Sequence, residues 1–205
     1  MSTSAQQLGG NVFATPPDEP MGLLRSWLDA ARADAVREPG ALALATADAD
    51  GRPSTRMVQV LAVRDTGLLF ASHSGSRKGR ELAANRWASG VLYWREVARQ
   101  VVVSGPTGPL GADEADALWM ARPVATHPMS VASQQSAPLS DENALREQAR
   151  QLGDGGVPLP RPDAWLAYLL EPESVEFWES SPDRLHRRLR FDRDGTGWRS
   201  GRLQP

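Results

Sequence analysis

Apolar residues at helical spacing alternate along the chain with short apolar runs bounded by turn residues. Leu24, Trp27, Leu28, Ala31 and Ala35 recur at helical spacing. They predict a helix starting near Pro20, with Asp18 and Glu19 at its positive end and Pro39-Gly40 closing it. A β series follows: a small-residue strand over 41–47, a long strand over 54–63 carrying Met57, Val58, Val60, Leu61 and Val63, and a returning strand over 68–72, joined by Asp48-Ala49-Asp50-Gly51 and Arg64-Asp65-Thr66-Gly67. Ser76 caps a short helix over 76–85, and strands at 91–94 and 100–104 flank Arg95-Glu96-Val97-Ala98. Helices follow over 112–121 and 141–152, then a connector stiffened by Pro158, Pro160 and Pro162. Strands return at 165–170, 174–178, 185–191 and 198–203. Residues 1–17 are small, polar and proline-containing and read as a mobile N-terminal arm; 18–205 read as one domain.

Strands joined by short turns pair antiparallel, and a sheet with this many strands must curl or close to hide its edges. Here the helices fall between groups of strands instead of alternating with each one. The expected architecture is therefore mainly β with packed helices (α+β), a β-barrel and not a doubly wound parallel sheet.

Composition removes several kinds of chemistry. The 205 residues contain no Cys, which excludes disulfides, thiolate catalysis and thiolate metal sites. His73, His127 and His186 lie far apart without ligand spacing, so no metal is expected. Lys plus Arg number 23 against 25 for Asp plus Glu, too even a balance for a general nucleic-acid binder. No apolar run is long enough to cross a membrane, and the first residues lack the basic start and apolar block of a signal peptide. A soluble, cytoplasmic protein is expected. Lys78 is the only lysine.

That lysine sits in Ser72-His73-Ser74-Gly75-Ser76-Arg77-Lys78-Gly79-Arg80, where a strand ends and a helix begins. Backbone N–H groups, an Arg fork and a Lys point charge at one helix start make either a phosphate cradle or a solvated helix end. It is no P-loop, because the Gly-Lys-Ser/Thr ending is missing. In Arg184-Leu185-His186-Arg187-Arg188, a strand beginning at Leu185 would turn Arg184, His186 and Arg188 to one face. That face is either a solvated surface or the wall of an anion pocket. The proline-held stretch 122–130, followed by Ser133-Gln134-Gln135-Ser136, has the character of a binding loop.

In order along the chain, Arg56-Met57-Val58, Ser76-Arg77-Lys78, Arg99-Gln100-Val101, Arg122-Pro123, Ser133-Gln134-Gln135-Ser136, Val175-Glu176-Phe177-Trp178, Arg184-Leu185-His186-Arg187-Arg188 and Arg202-Leu203-Gln204-Pro205 resemble the pyridoxamine 5'-phosphate oxidase family. The resemblance runs from about residue 20 to 205 and implies an FMN-binding split barrel that is an obligate homodimer. By position it implies that Arg56, Arg77, Lys78, Gln135 and Ser136 hold the FMN phosphate side, with Ser72 beside the ribityl chain or ring. Gln100, Trp178 and Arg188 would complete the flavin site from the other subunit.

On the substrate side the chain departs from the family's vitamin oxidases. Their phosphate clamp of Lys, Tyr, Arg and Ser corresponds here to Leu61, Leu118, Arg122 and Thr126. Two leucines weaken a dianion site and widen an apolar wall. Arg184 and His186 remain at the family's substrate-side positions beside the flavin, as the implied catalytic pair. Val36-Arg37-Glu38-Pro39, 41–46, 88–96 and 121–130 are similar to the phenazine-biosynthesis flavin oxidases. This implies hydride transfer from partly reduced phenazine carboxylic acids, tricyclic substrates, to FMN, with reoxidation by O2. Arg122, Arg184 and His186 are then the expected carboxylate contacts. A vitamin B6 phosphate oxidase and a non-catalytic flavin-binding split barrel are the alternatives.

Overall fold

The structure, a computed structural model, describes residues 12–205. Helix α1 (Pro20–Ala33) is followed by β1 (Ala41–Ala47), β2 (Pro53–Gln59), β3 (Ala62–Val63) and β4 (Leu68–His73). Next come α2 (Arg77–Ala84), β5 (Trp87–Trp94), β6 (Arg99–Pro109), α3 (Ala112–Met120), α4 (His127–Ala132) and α5 (Glu142–Gly153). The chain ends with β7 (Trp165–Leu170), β8 (Ser174–Glu179), β9 (Arg187–Asp194) and β10 (Gly197–Leu203).

Every strand pair is antiparallel. The long strand β6 is the fork. One of its edges pairs with β5; the other pairs first with β8 and then, over Thr107–Pro109, with β7. The strand expected over 54–63 is broken at Val60-Leu61. Its first half pairs with β1 and its second with β4, so the break turns a barrel corner. The order β1, β2/β3, β4, β7, β6, β5 thus closes a ring, and β8-β9-β10 extends from β6 beyond it. This is an antiparallel split barrel.

Alternation along the strands decides what the barrel encloses. Leu42, Leu44, Leu92, Val101, Val103, Val175, Phe177, Leu189 and Phe191 are fully buried and meet Leu24, Trp27 and Leu28 of α1 in one core. Trp27 lies edge-on to Phe177 at 5.2 Å. The helix stops at Ala33, earlier than expected. Ala35 adopts φ 54° and faces solvent, and Val36 takes the buried place instead. Of the stretch read as an arm, residues 1–11 lie outside the described residues. Its other end is packed: Phe13 is buried against Trp27, and Arg202 Nη1 donates to its carbonyl.

Candidate active site

The first cluster forms where β4 hands over to α2. Ser76 caps the helix by accepting from Gly79 N, and Ser136 Oγ accepts from Arg77 N. Two of the first N–H groups are therefore already engaged, and an anion here is held chiefly by side chains. The helix can begin this close to β4 because residue 79 is glycine: a Cβ would lie 2.4 Å from the His73 and Ser74 carbonyl oxygens. Lys78 is buried; its Nζ donates to Ser72 Oγ at 3.0 Å and Gln135 Oε1 at 3.1 Å. Burial, then the nearby Arg56, lowers the pKa of this ammonium. An anion placed between the two would relieve the repulsion.

Arg56 projects from β2 toward the same place. Its guanidinium donates to Thr46 Oγ1, Ser54 Oγ and Glu81 Oε2. Arg77 Nε donates to Glu81 Oε1 at 2.8 Å. Burial opposes the Glu81 charge, but hydrogen bonds from Ser54, Thr46, Arg77 and Arg56 outweigh it and hold the carboxyl at about 2. Glu81 was not among the residues expected to matter. The i, i+4 spacing from Arg77 was the available signal; the contacts from β1 and β2 had none. Arg56, Arg77 and Lys78 set three cations against this single carboxylate.

Next to this cluster a cavity of about 240 Å³ opens between Leu61, Ser72, His73, Arg122, Gln135 and Trp165. Arg122 lies over the rings of Trp119 and Trp165, at 4.8 and 5.4 Å, and its Nη2 donates to Ser130. Its Nη1 is buried with no hydrogen-bond partner among the described residues. Burial lowers the Arg122 pKa, and burial followed by Arg122 and Lys78 lowers that of His73, which favours neutral imidazole. No acid lines the cavity, so it suits an anion. Leu118 and Thr126 do not line it. Leu118 packs beside the Trp119–Trp165 cluster, and the Thr126 hydroxyl donates to the Pro123 carbonyl.

The remaining expected residues form a second cluster. Gln100 pairs with Trp178, and Trp178 pairs with Arg188, so all three share a face across β6, β8 and β9. Their neighbours Val101, Phe177 and Leu189 fill the core, so this face points away from it. Arg56 pairs with Leu44 and is on the core side of the same sheet. The two clusters lie on opposite faces.

The expectation that a strand from Leu185 carries Arg184, His186 and Arg188 on one face is overturned. Strand β9 begins at Arg187. Arg184 is in a turn at φ 65°, its backbone N–H bonded to the Ser181 carbonyl, and its side chain is exposed. The His186 ring instead rests 4.9 Å from the Trp178 ring, and its Nδ1 accepts from Ser181 N. A neutral ring so held presents its N–H at Nε2. His186 therefore joins the second cluster through Trp178, not through strand alternation.

Residues 28–153 match the pyridoxamine 5'-phosphate oxidase family. The chain belongs to that family. Residues 165–205 match the pyridoxine 5'-phosphate oxidase C-terminal dimerisation region, which spans β7 to β10 and includes Trp178, His186 and Arg188 of the second cluster but not Gln100. The chain is 53% identical to dihydrophenazinedicarboxylate synthase of Burkholderia lata over 212 aligned positions, covering 100% of both chains. It is 51% identical to the enzyme of that name from Pseudomonas chlororaphis over 193 positions, 94% of this chain and 87% of the other. The crystal structure of PhzG from Burkholderia lata 383 in complex with tetrahydrophenazine-1-carboxylic acid superposes with a TM-score of 0.93 at 52% identity, covering 95% of this chain and 96% of that one. Membership of the pyridoxamine 5'-phosphate oxidase family implies a flavin. The cationic cluster of Arg56, Arg77 and Lys78 fits the phosphate of such a cofactor.

Among the described residues no group of His, Asp or Glu is arranged to hold a metal ion, and no helix is long and apolar enough to cross a membrane.

Proposed function

We propose that the protein is an FMN-dependent oxidase of phenazine biosynthesis, acting on partly reduced phenazine carboxylic acids. The full-length likeness to two dihydrophenazinedicarboxylate synthases carries this reading. The cavity chemistry supports it: Arg122 has a buried donor without a partner among the described residues, suited to a carboxylate, beside the apolar Leu61, where the family resemblance implies a lysine in the vitamin oxidases.

The opposed clusters favour a homodimer. One FMN touches both only if a second copy lays its outer sheet face against the α2 end of the first. That face is apolar enough for the role: Ala41, Ala43 and Ala45 leave it flat, and Met57 and Tyr93 stand 61% and 58% exposed beside them. In this assembly Arg56, Arg77, Lys78, Gln135 and Ser136 hold the phosphate side, and Ser72 lies beside the ribityl chain or ring. Gln100, Trp178 and Arg188 of the partner subunit complete the site.

Bound FMN would supply a two-electron acceptor for hydride leaving the ring, with O2 as the final oxidant. The protein's part is positioning. Arg122 anchors one carboxylate of the tricyclic acid. Arg184 and His186 of the partner subunit approach the reacting side, His186 Nε2–H as a donor and Arg184 as a mobile cation. Leu61 and Trp165 exclude water from the ring's flank. The chemistry suits a cytoplasmic enzyme.

Oxygen consumption tests the reading. Freshly reduced phenazine carboxylic acid is turned over, and Arg184→Ala lowers kcat/KM by at least tenfold while the flavin content stays that of the wild type. Loss of flavin in that variant would place Arg184 in the cofactor site instead, and absence of turnover by the unaltered enzyme would refute the proposed activity.

A further inference from the structure

Along α2, beside Gly79, Leu82 and Ala83, lies a second cavity, of about 400 Å³. The loop after β4, α2, the end of β6 and strand β7 enclose it, and the proposed reaction does not use it. Leu82, Pro109, Leu166 and Tyr168 make its walls. Tyr168 is held flat by stacking on Phe70, 5.3 Å away with the planes 10° apart. Ser74 and the Tyr168 hydroxyl also belong to the lining, and two further polar groups, Thr107 and Arg86, carry the argument. Thr107 Oγ1 is buried with no hydrogen-bond partner among the described residues, although Thr107 N donates to the Arg86 carbonyl. The Arg86 guanidinium lies over Gly108, where a Cβ would be 2.9 Å from Nη2. Arg86 is the one charged residue in the lining, and no described carboxylate faces it there.

A buried hydroxyl left without a partner costs stability, and an exposed cation at the edge of an apolar slot invites an anion with an apolar body. The volume is within the range of small-molecule sites. We infer that this cavity is a second ligand site, separate from the active site, for a flat aromatic carboxylate. The carboxylate meets Arg86, a ring-edge polar atom or the second carboxylate oxygen meets Thr107 Oγ1, and the ring lies between Leu82, Leu166 and Tyr168. The inference does not depend on the proposed reaction, since no residue of the FMN or substrate clusters carries it.

The probe is 1-naphthoate, with the uncharged 1-naphthamide as its control, titrated calorimetrically into the flavin-loaded protein. Naphthoate binds at a site that Arg86→Met weakens at least tenfold and Ala83→Trp fills, while naphthamide binds there at least tenfold more weakly. Both variants keep the turnover of the wild type. Thr107→Val gives a second, independent reading: it weakens naphthoate yet leaves the Tm of the unliganded protein equal or higher, because it removes an unpaired hydroxyl. Naphthoate binding that is unchanged in Arg86→Met and Ala83→Trp would overturn the inference. So would binding abolished by Arg122→Met alone, which would mean that only the active site takes the acid. A lower Tm in Thr107→Val would show the hydroxyl to be structural and would also count against the site.

Discussion

Lys78→Met lowers FMN affinity by about 100-fold and leaves the flavin-free protein as stable as before. The ammonium is buried and its two described partners, Ser72 and Gln135, are neutral. Its removal therefore strands no opposite charge, and the apolar replacement fits a buried position. What is lost is one charge-assisted contact to phosphate, worth about 1.5–3 kcal/mol, or roughly 10- to 150-fold in affinity. Fluorescence titration of the flavin-free protein with FMN measures it. Affinity within about twofold of wild type would remove Lys78 from the phosphate site; a large fall in Tm would mean that the ammonium is a structural partner instead.

Glu81→Ala acts on the fold. The carboxylate is buried and ties Arg56, Arg77, Thr46 and Ser54 together, so its loss leaves Arg56 without its ion-pair partner. Breaking a buried pair from one side costs about 3–5 kcal/mol. The pH dependence has a definite sign. The folded carboxyl is held at about 2, against an ordinary 4.5. Stability from Glu81 is therefore fully present above about 4.5 and is lost as the pH falls toward 2, about 3 kcal/mol in all. Urea unfolding at a series of pH values checks both points: Glu81→Gln flattens the acid limb between pH 4.5 and 2 that the wild type shows. Equal acid limbs in the two proteins would mean that Glu81 is not the carboxylate that matters.

The strands at 41–47 and 165–170 were legible residue for residue because their apolar runs begin and end at glycine or polar turns. The corner at Val60-Leu61 was not. Apolar residues continue through it, and the break exists only because β1 and β4 claim different halves of the segment. Ala35 kept helical spacing after the helix had ended, since a left-handed residue leaves no mark in a hydrophobic pattern. The same limit affected Arg184, whose positive φ separates it from the strand that carries Arg188.

The phosphate cradle was readable as a local cluster around Lys78, but its charge balance was not. Glu81 reaches Arg56 only once β2 and α2 are packed together. Gln135 and Ser136 come from a loop more than fifty residues from α2, and only the family resemblance assigned them. The placement of Gln100, Trp178 and Arg188 away from the core follows from register. No local pattern joins this face to Arg56; the shared site proposed for them rests on the sheet order and a second subunit.

In the proposed function this chain passes electrons from a reduced phenazine acid to a flavin. An anaerobic titration of the flavin-loaded protein, followed by its visible spectrum, tests this most directly. Freshly prepared reduced phenazine carboxylic acid bleaches the flavin band in proportion to the acid added, and pyridoxine 5'-phosphate leaves it unchanged. Bleaching by the vitamin phosphate alone would contradict the account and make the chain a vitamin B6 phosphate oxidase.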